Sequence, residues 1–412
     1  MKKILATLNF ILIFVGYQFI TSVFSFIISD EEGASRIVTV PFRAFSLIIC
    51  IAVILLNIKK SIKLTKEIKL LFVYWALLII RFIYDFYYRS DVHVSSDYRI
   101  QLILYMVPMT IIPMYSILKS YNVINLNKTL VWTLILSIIS ILITFLTNQS
   151  FQEKTIERVN ANAALSSINS GNLGLTVILL SVYFIVYSDT SKIKKILLFI
   201  CGFLGFLIML RSGSRGPILS LIVIGTIWIL GSTKRIALNS IIFAIISLII
   251  YINLDEIFNV IGSISPILEN RLNRAGGDQL DDRIPLYQYA INSFLENPIF
   301  GKNFAIYSTD GTAIYPHNMI LDSLMQLGLV GFTIITYIIL RTLILVFKLV
   351  KTKDRSSWIG LILIQNIVGL MLSSSLYYRP IVSILIVYLF IINASKHHDN
   401  INLKNQTENL RL

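Results

Sequence analysis

Blocks of about 15 to 25 apolar residues recur along the whole chain, separated by short polar breaks. The hydrocarbon core of a bilayer is about 30 Å thick, and a helix needs roughly 20 apolar residues to cross it. Hydrophobic residues make up 56% of the 412 residues and charged residues only 14%. The pattern therefore predicts one all-α polytopic membrane domain over residues 1–412, with no soluble domain attached.

The polar breaks divide this domain into about twelve predicted spans. They cover residues 4–28, 37–58, 70–88, 100–118, 129–147, 167–187, 196–210, 216–231, 236–253, 327–347, 358–377 and 381–395. The first span is longer than the apolar core of a signal peptide, so we expect it to be retained as a helix. Cys50 and Cys201 both lie inside apolar blocks. Neither a disulfide framework nor a cysteine-based metal site is therefore expected.

Basic residues are distributed unequally between the two sides of these spans. Of the 36 Lys and Arg residues, 21 fall on the side of the two termini, 12 on the other side, and three (Arg43, Arg81 and Arg341) within spans. By the positive-inside rule, both termini are cytoplasmic and the long loop at residues 254–315 is extracytoplasmic. Topology thus accounts for the net charge of +14, and nucleic acid is not an expected partner.

The cations on the outer side are mostly arginine. Of the 21 cytoplasmic cations 18 are lysine, whereas 10 of the 12 outer cations are arginine. These ten are Arg36, Arg89, Arg99, Arg158, Arg211, Arg215, Arg271, Arg274, Arg283 and Arg379. Arginine binds phosphate and carboxylate in a bidentate manner that lysine cannot reproduce. The sequence therefore predicts an anion-binding outer face, although some of these residues are expected to be headgroup anchors.

The segment "LRSGSRGPILS", residues 210–220, joins the seventh and eighth spans. The seventh span has 15 residues and would cover about 22 Å, so the turn is expected below the outer surface. Arg211 and Arg215 would then be charges at membrane depth that require an anion. Gly216 and Pro217 can start the next helix, whose free N–H groups would open onto the same place. The alternative is an ordinary tight turn with snorkelling arginines.

The long loop at residues 254–315 is expected to carry amphipathic helices. After Pro266, Arg271 and Arg274 are three residues apart on one predicted helical face. The stretch "IPLYQYAINSFLENP" has apolar residues at helical spacing and is expected to pack over the bundle. The acidic cluster in "DQLDDR", which is Asp278, Asp281 and Asp282, is better interpreted as a solvated turn that pairs with arginine than as a cation site.

The stretch "YPHNMILDSLMQLGLVG", residues 315–331, places His317 at the start of an apolar helix. Asn318, Asp322 and Gln326 form a polar ridge beside it, which predicts a wet crevice. Histidine exchanges a proton near neutral pH, so His317 is a candidate general base. The alternative is a histidine that caps the helix at the headgroup level.

Taken together, "SGSRG", "DDRIPLYQYAINSFLENPIFGKNF" and "YPHNMILDSLMQLGLVGF" resemble the successive motifs of the O-antigen polymerase and O-antigen ligase superfamily. The resemblance covers roughly residues 196–350. It implies a GT-C-like bundle, a donor-diphosphate role for Arg215 and Arg283, and a base role for His317 with Asn318 beside it. The other candidate substrate-binding residues are Arg211, Gly216, Arg271, Arg274, Asp322 and Arg379, of which Arg271, Arg274 and Arg379 depend on the charge argument alone.

The resemblance also implies the chemistry. The donor would be an oligosaccharide linked through diphosphate to undecaprenol in a bacterial plasma membrane, and transfer would invert the anomeric carbon without a metal or a cofactor. The protein is expected to lie in the lipid bilayer. A flippase and a chain-length regulator are candidate protein partners. A composition rich in Ile, Asn and Lys is compatible with an organism that lacks lipopolysaccharide. This favours a capsule, O-antigen or exopolysaccharide polymerase over a ligase that uses lipid A-core. A lipid-linked oligosaccharide flippase or other transporter is an alternative of a different class.

Overall fold

The computed structural model describes most of the chain as helix. The described residues are 1–24, 35–62, 64–92, 94–146, 167–188, 191–212, 214–232, 283–308 and 312–409. Eight described helices are long and apolar enough to cross a membrane, and three shorter apolar helices accompany them. The all-α polytopic architecture is therefore confirmed, while the count of twelve spans and the GT-C-like arrangement remain predictions. The predicted span at 236–253, the segment with Arg271 and Arg274, and the acidic cluster at 278–282 lie outside the described residues.

The helices are numbered in chain order. They are α1 (Lys2–Phe24), α2 (Ile37–Leu56), α3 (Lys66–Tyr88), α4 (Ser96–Ser120), α5 (Leu126–Leu146), α6 (Ser167–Tyr187), α7 (Lys192–Arg211), α8 (Arg215–Ser232), α9 (Ile284–Glu296), α10 (Met319–Lys351), α11 (Ser357–Ser373) and α12 (Pro380–Asn409). Two short antiparallel strands, β1 (Ile306–Tyr307) and β2 (Ala313–Ile314), lie between α9 and α10, with Ile306 opposite Ile314.

Helix α7 differs from its predicted span. It begins at Lys192 and has 20 residues, which corresponds to about 30 Å at 1.5 Å per residue. The predicted 15-residue span was too short because lysine is a good helix former, so Lys192, Lys194 and Lys195 continue the helix. The short span that was the reason to expect the following turn below the membrane surface is therefore not observed, and the depth of the turn stays a prediction.

Glycines bring α7 against α6 and fix the turn that follows α7. A Cβ added to Gly174 of α6 would lie 2.4 Å from the carbonyl oxygen of Gly205 in α7. Such close approach of two backbones is typical of small residues between membrane helices. One turn away, a Cβ on Gly171 would lie 2.6 Å from Ser212 Oγ and 2.8 Å from Pro217 Cγ. The arginine turn is thus held directly against α6.

Helix α10 is interrupted at Gly328, which has a φ of 59°. The segment that follows α9 pairs with the interrupted backbone: Leu329 N–H donates to the Pro298 carbonyl at 2.8 Å, and Met325 carbonyl accepts from Lys302 N–H at 3.0 Å. Both sides of the break therefore obtain hydrogen-bond partners from protein, as backbone buried in a membrane bundle requires. The "NPIFG" and "GLVG" stretches interlock, which explains why they belong to linked motifs.

The amphipathic helix predicted in the long loop is confirmed as α9. Ala290 and Ser293 are buried, and Leu286 packs near Ile306 and Met325. The predicted apolar face is only partly covered, because Leu295 at its far edge is 65% exposed. Helix α9 therefore packs over α10 and leaves part of its apolar surface free.

Candidate functional site

The C-terminal end of α11, residues 369–373, is where three distant segments of the chain meet. Arg283 Nη1 donates to the Leu372 carbonyl at 2.7 Å. Asn318 Nδ2 donates to the Met371 carbonyl at 3.4 Å. Gly216, at the start of α8, faces Leu372 closely enough that an added Cβ would lie 3.9 Å from its Cδ1. Carbonyls at a helix C-terminus lack intrahelical partners and carry partial negative charge, so they attract these donors.

Arg215 lies beside this cluster, next in sequence to Gly216. Its Nε and Nη2 atoms are buried and hydrogen bond to none of the described residues. The positive charge of Arg283 acts on Arg215 electrostatically. Two guanidinium groups that repel each other at the end of a membrane bundle are stabilised by an anion that contacts both. The pair is therefore suited to hold a phosphate group.

His317 lies two residues before Met319, where α10 begins. The cap is Asn318, whose Oδ1 accepts hydrogen bonds from the N–H groups of Ile320 at 3.0 Å and Leu321 at 3.2 Å. The alternative of a histidine that caps the helix is therefore wrong. His317 has a φ of 55°, a conformation that costs energy for a residue with a Cβ. Its ring lies 4.5 Å from that of Tyr315, measured between centroids.

The predicted polar ridge is present, but the wet crevice is not found at its deeper residues. Asp322 is 3% exposed and Gln326 is 1% exposed. Asp322 Oδ1 accepts from Gln326 Nε2 at 3.0 Å, Ser375 Oγ donates to Asp322 Oδ2, and Gln326 Nε2 donates to the Phe304 carbonyl at 2.8 Å. Ser375 and Phe304 lie in other segments of the chain, so the pattern alone could not show that they satisfy the ridge. Asp322 fixes the segment after α11 and is not open to a ligand.

Arg379 lies between α11 and α12, and its guanidinium packs against Gly369. A Cβ added to Gly369 would be 3.0 Å from Arg379 Nη1. Burial raises the pKa of the Tyr315 hydroxyl, and the charge of Arg379 acts in the opposite direction. Because Tyr315 contacts His317, Arg379 belongs to the surroundings of the same cluster.

The remaining candidates are less closely placed. Arg211 is the last residue of α7 and is exposed, four residues before Arg215. Arg271 and Arg274 lie outside the described residues. The structure thus brings Arg215, Gly216, Arg283, Asn318 and Arg379 to the end of α11, with His317 adjoining Asn318, and leaves Arg211 at the edge.

A framework of arginine contacts supports this site, and the sequence analysis did not single it out. Arg81 donates from Nη2 to the carbonyls of Phe300 at 2.7 Å and Gly301 at 2.6 Å, and from Nε to that of Gln326 at 3.1 Å. It therefore joins α3 to α10 just before the break and to the segment that follows α9. The i, i+4 spacing of Arg81, Asp85 and Arg89 was the available signal.

Two of the outer arginines have structural contacts instead of an anion site. Arg89 Nη1 donates to Asn303 Oδ1 at 2.7 Å and to the Lys302 carbonyl at 3.0 Å. Arg99 donates from Nε to the Val94 carbonyl and from Nη1 to the Phe86 carbonyl, both at 3.0 Å. The prediction of an anion-binding outer face does not extend to these two residues.

Residues 200–336 match the family model described as O-Antigen ligase. The chain carries a domain of the O-antigen ligase and polymerase superfamily. The match includes the arginine turn, α9 and the His317 segment, so the resemblance carried by these three motifs is confirmed. No curated protein matches the chain. Members of the matched family are glycosyltransferase-like enzymes that act on glycans, and the match supports an O-antigen ligase or polymerase type of function in general.

Proposed function

We propose that this protein is a polysaccharide polymerase that transfers a growing glycan from undecaprenyl diphosphate to a lipid-linked repeat unit. One observation carries the proposal. The Arg283 guanidinium and the Asn318 side chain, which adjoins His317, donate to carbonyls at the C-terminal end of α11, and Gly216, next to Arg215, packs against Leu372 there. This arrangement supports an anion site beside a candidate base.

The arginine pair would bind the diphosphate of the donor. When the bond between the anomeric carbon and the phosphate oxygen breaks, the electron pair and the negative charge stay on the diphosphate. Preformed cations aimed at developing charge are usually the largest catalytic contribution. Arg215 is available for this because its Nε and Nη2 have no hydrogen bond to a described residue, whereas Arg283 is oriented by the Leu372 carbonyl.

His317 would act as the general base. It takes the proton from an acceptor hydroxyl, whose oxygen forms the new bond at the anomeric carbon opposite the departing diphosphate and inverts that carbon. The strained backbone at His317 and the cap at Asn318 hold the imidazole at a fixed place before α10. No covalent enzyme intermediate is needed.

Purified protein in liposomes, supplied with an undecaprenyl-diphosphate-linked repeat unit, tests the function. We expect longer lipid-linked glycans and release of undecaprenyl diphosphate, with activity retained in EDTA. If the glycan is instead transferred only when lipid A-core is added, the protein is a ligase. Translocation of an unchanged lipid-linked glycan would contradict the enzyme proposal and identify a transporter.

The His317→Asn variant tests the base separately from the backbone. Asparagine adopts positive φ more readily than most residues, so this variant keeps the local conformation and removes the imidazole. We expect turnover to fall by about 10² to 10⁴ while the thermal unfolding temperature stays near the wild-type value. Turnover close to wild type would show that His317 is needed only for conformation, if at all.

A further inference from the structure

A cavity of about 350 Å³ lies among helices that are far apart in the sequence. Residues of α1, α2, α4, α6, α11 and α12 line it. Small-molecule sites commonly have volumes of about 300 to 1,000 Å³. The cavity is therefore large enough for a small organic group such as a sugar residue.

Amide and aromatic side chains form much of the cavity wall. The amides are Gln18, Asn169, Asn172, Gln365 and Asn366, and tyrosines 17, 105 and 378 accompany them. An amide both donates and accepts hydrogen bonds, as sugar hydroxyls require. An aromatic ring offers an apolar face and, in tyrosine, a polar edge. This combination suits a carbohydrate better than a purely apolar lipid chain.

The charged side chains among the described residues that line the cavity are both arginines, Arg43 and Arg379. Arg43 Nη2 donates to the Tyr105 hydroxyl at 2.6 Å, and its guanidinium lies 4.5 Å from the centre of that ring. Arg379 also lines the cavity and is held against Gly369. Two cations inside a membrane bundle are costly, and an anionic ligand between them offsets that cost.

The cavity also coincides with two irregular helix turns. Helix α1 has a π-helical turn at Leu12–Gly16 and α4 has one at Val107–Ile111, and both turns contribute to the lining. A π turn inserts an extra residue and widens the helix, and such turns are frequent at functional sites. Pro108 lacks an N–H group, which accounts for the departure from regular helix in α4.

Tyr378 and Arg379 separate the cavity from the cluster around His317. Tyr378 lines the cavity, and its ring lies 5.3 Å from that of Tyr315, which in turn contacts His317. Arg379 lines the cavity and packs against the end of α11. The cavity therefore adjoins the His317 cluster, with the side chains of Tyr378 and Tyr315 between them.

We propose that this cavity binds an anionic sugar of the glycan, one that carries a carboxylate or a phosphate, through Arg43 and Arg379. The inference depends on the glycan transfer proposed above and narrows the substrate class to acidic polysaccharides. Arginine suits both groups because its planar fork matches carboxylate and phosphate oxygens.

The test uses the lipid-linked glycan that accumulates in cells from which this gene has been removed. Its mass spectrum shows whether the repeat unit carries a carboxylate or a phosphate. A neutralised donor is then prepared, by reduction of carboxylates to alcohols or by enzymatic hydrolysis of phosphate monoesters. Elongation of both donors is measured with wild-type protein, Arg43→Gln, Arg43→Lys and the control Lys351→Gln, which removes an exposed cation at the end of α10.

We expect wild-type KM to rise about tenfold or more for the neutralised donor, with a smaller change in kcat. Arg43→Gln should raise KM for the native donor and abolish the difference in KM between the two donors. Arg43→Lys should retain part of that difference, and Lys351→Gln should behave as wild type. A neutral native glycan, or equal wild-type KM for both donors, would overturn the inference even if Arg43→Gln fails to fold. If wild type elongates neither donor, the proposed function itself fails.

Discussion

At the scale of single residues, arginines near the outer end of the bundle divide into two kinds according to their contacts. Arg81 donates to four carbonyls, those of residues 300, 301 and 302 after α9 and that of residue 326 in α10 before the break. Arg215 has buried Nε and Nη2 atoms without a hydrogen bond to a described residue. The first kind should therefore support folding, and the second should support turnover.

Substitution by lysine should separate these two kinds. Arg215→Lys keeps the charge and loses the planar fork, so we expect turnover to fall by about 10² to 10³ with little change in unfolding temperature. Arg81→Lys cannot satisfy the same carbonyls, and each one left unpaired costs about 1–3 kcal/mol, so the unfolding temperature should drop by several degrees. Activity assays and thermal unfolding of both purified variants check this. A stable, inactive Arg81→Lys protein, or an unfolded Arg215→Lys protein, would reverse the assignment.

The sequence predicted the polar and charged residues of the site better than the groups that these residues contact. Arg215, Arg283 and Asn318 stood in linked motifs, and the structure places them around one helix end. Arg283 and Asn318 contact the backbone carbonyls of Leu372 and Met371 there, and a carbonyl group is the same in every residue. No residue pattern could therefore identify the end of α11 as the meeting point.

At the scale of elements, the interrupted α10 and the turn after α9 form one unit. A Cβ at Gly328 would lie 2.5 Å from the Pro298 oxygen, and a Cβ at Gly301 would lie 2.5 Å from the carbonyl carbon of Gln326. Both glycines also have positive φ. The helical period of α9 was readable from its sequence, whereas a glycine in an apolar helix usually indicates close packing. The break at Gly328 was therefore not predicted.

Two glycine-to-alanine variants test this unit. Gly328→Ala places a side chain in a left-handed conformation, which costs about 1–2 kcal/mol, and against backbone that cannot easily move. We expect a marked fall in unfolding temperature and loss of activity. Gly225→Ala is the matched control, because its Cβ would have nothing within 4 Å and alanine favours a helix by about 0.5–1 kcal/mol. Equal stability of the two variants would contradict the interlocked arrangement.

At the scale of the whole molecule, the positions of the lysines and the length of α10 favour the same orientation of the protein in the membrane. From Leu329 to Lys351, α10 has a length of about 34 Å, enough to cross a bilayer from the break to the lysine-rich end. Lys348 and Lys351 close that end, and Glu67 of α3 pairs with Arg341 nearby at 3.0 Å. If the lysine-rich end faces the cytoplasm, the end of α11 with Arg283 faces the outside, where a translocated lipid-linked glycan is available.

Both proposals therefore depend on the prediction that the arginine cluster faces the outside of the membrane. In a background with Cys50→Ala and Cys201→Ala, the Asn297→Cys and Lys351→Cys variants place single thiols at exposed positions near opposite ends of α10. We expect a membrane-impermeant maleimide to label the Asn297→Cys protein in intact cells and the Lys351→Cys protein only after permeabilisation. Denatured samples control for thiol availability. The opposite pattern would place the arginine cluster in the cytoplasm, where an acceptor chain growing outside the membrane could not reach His317.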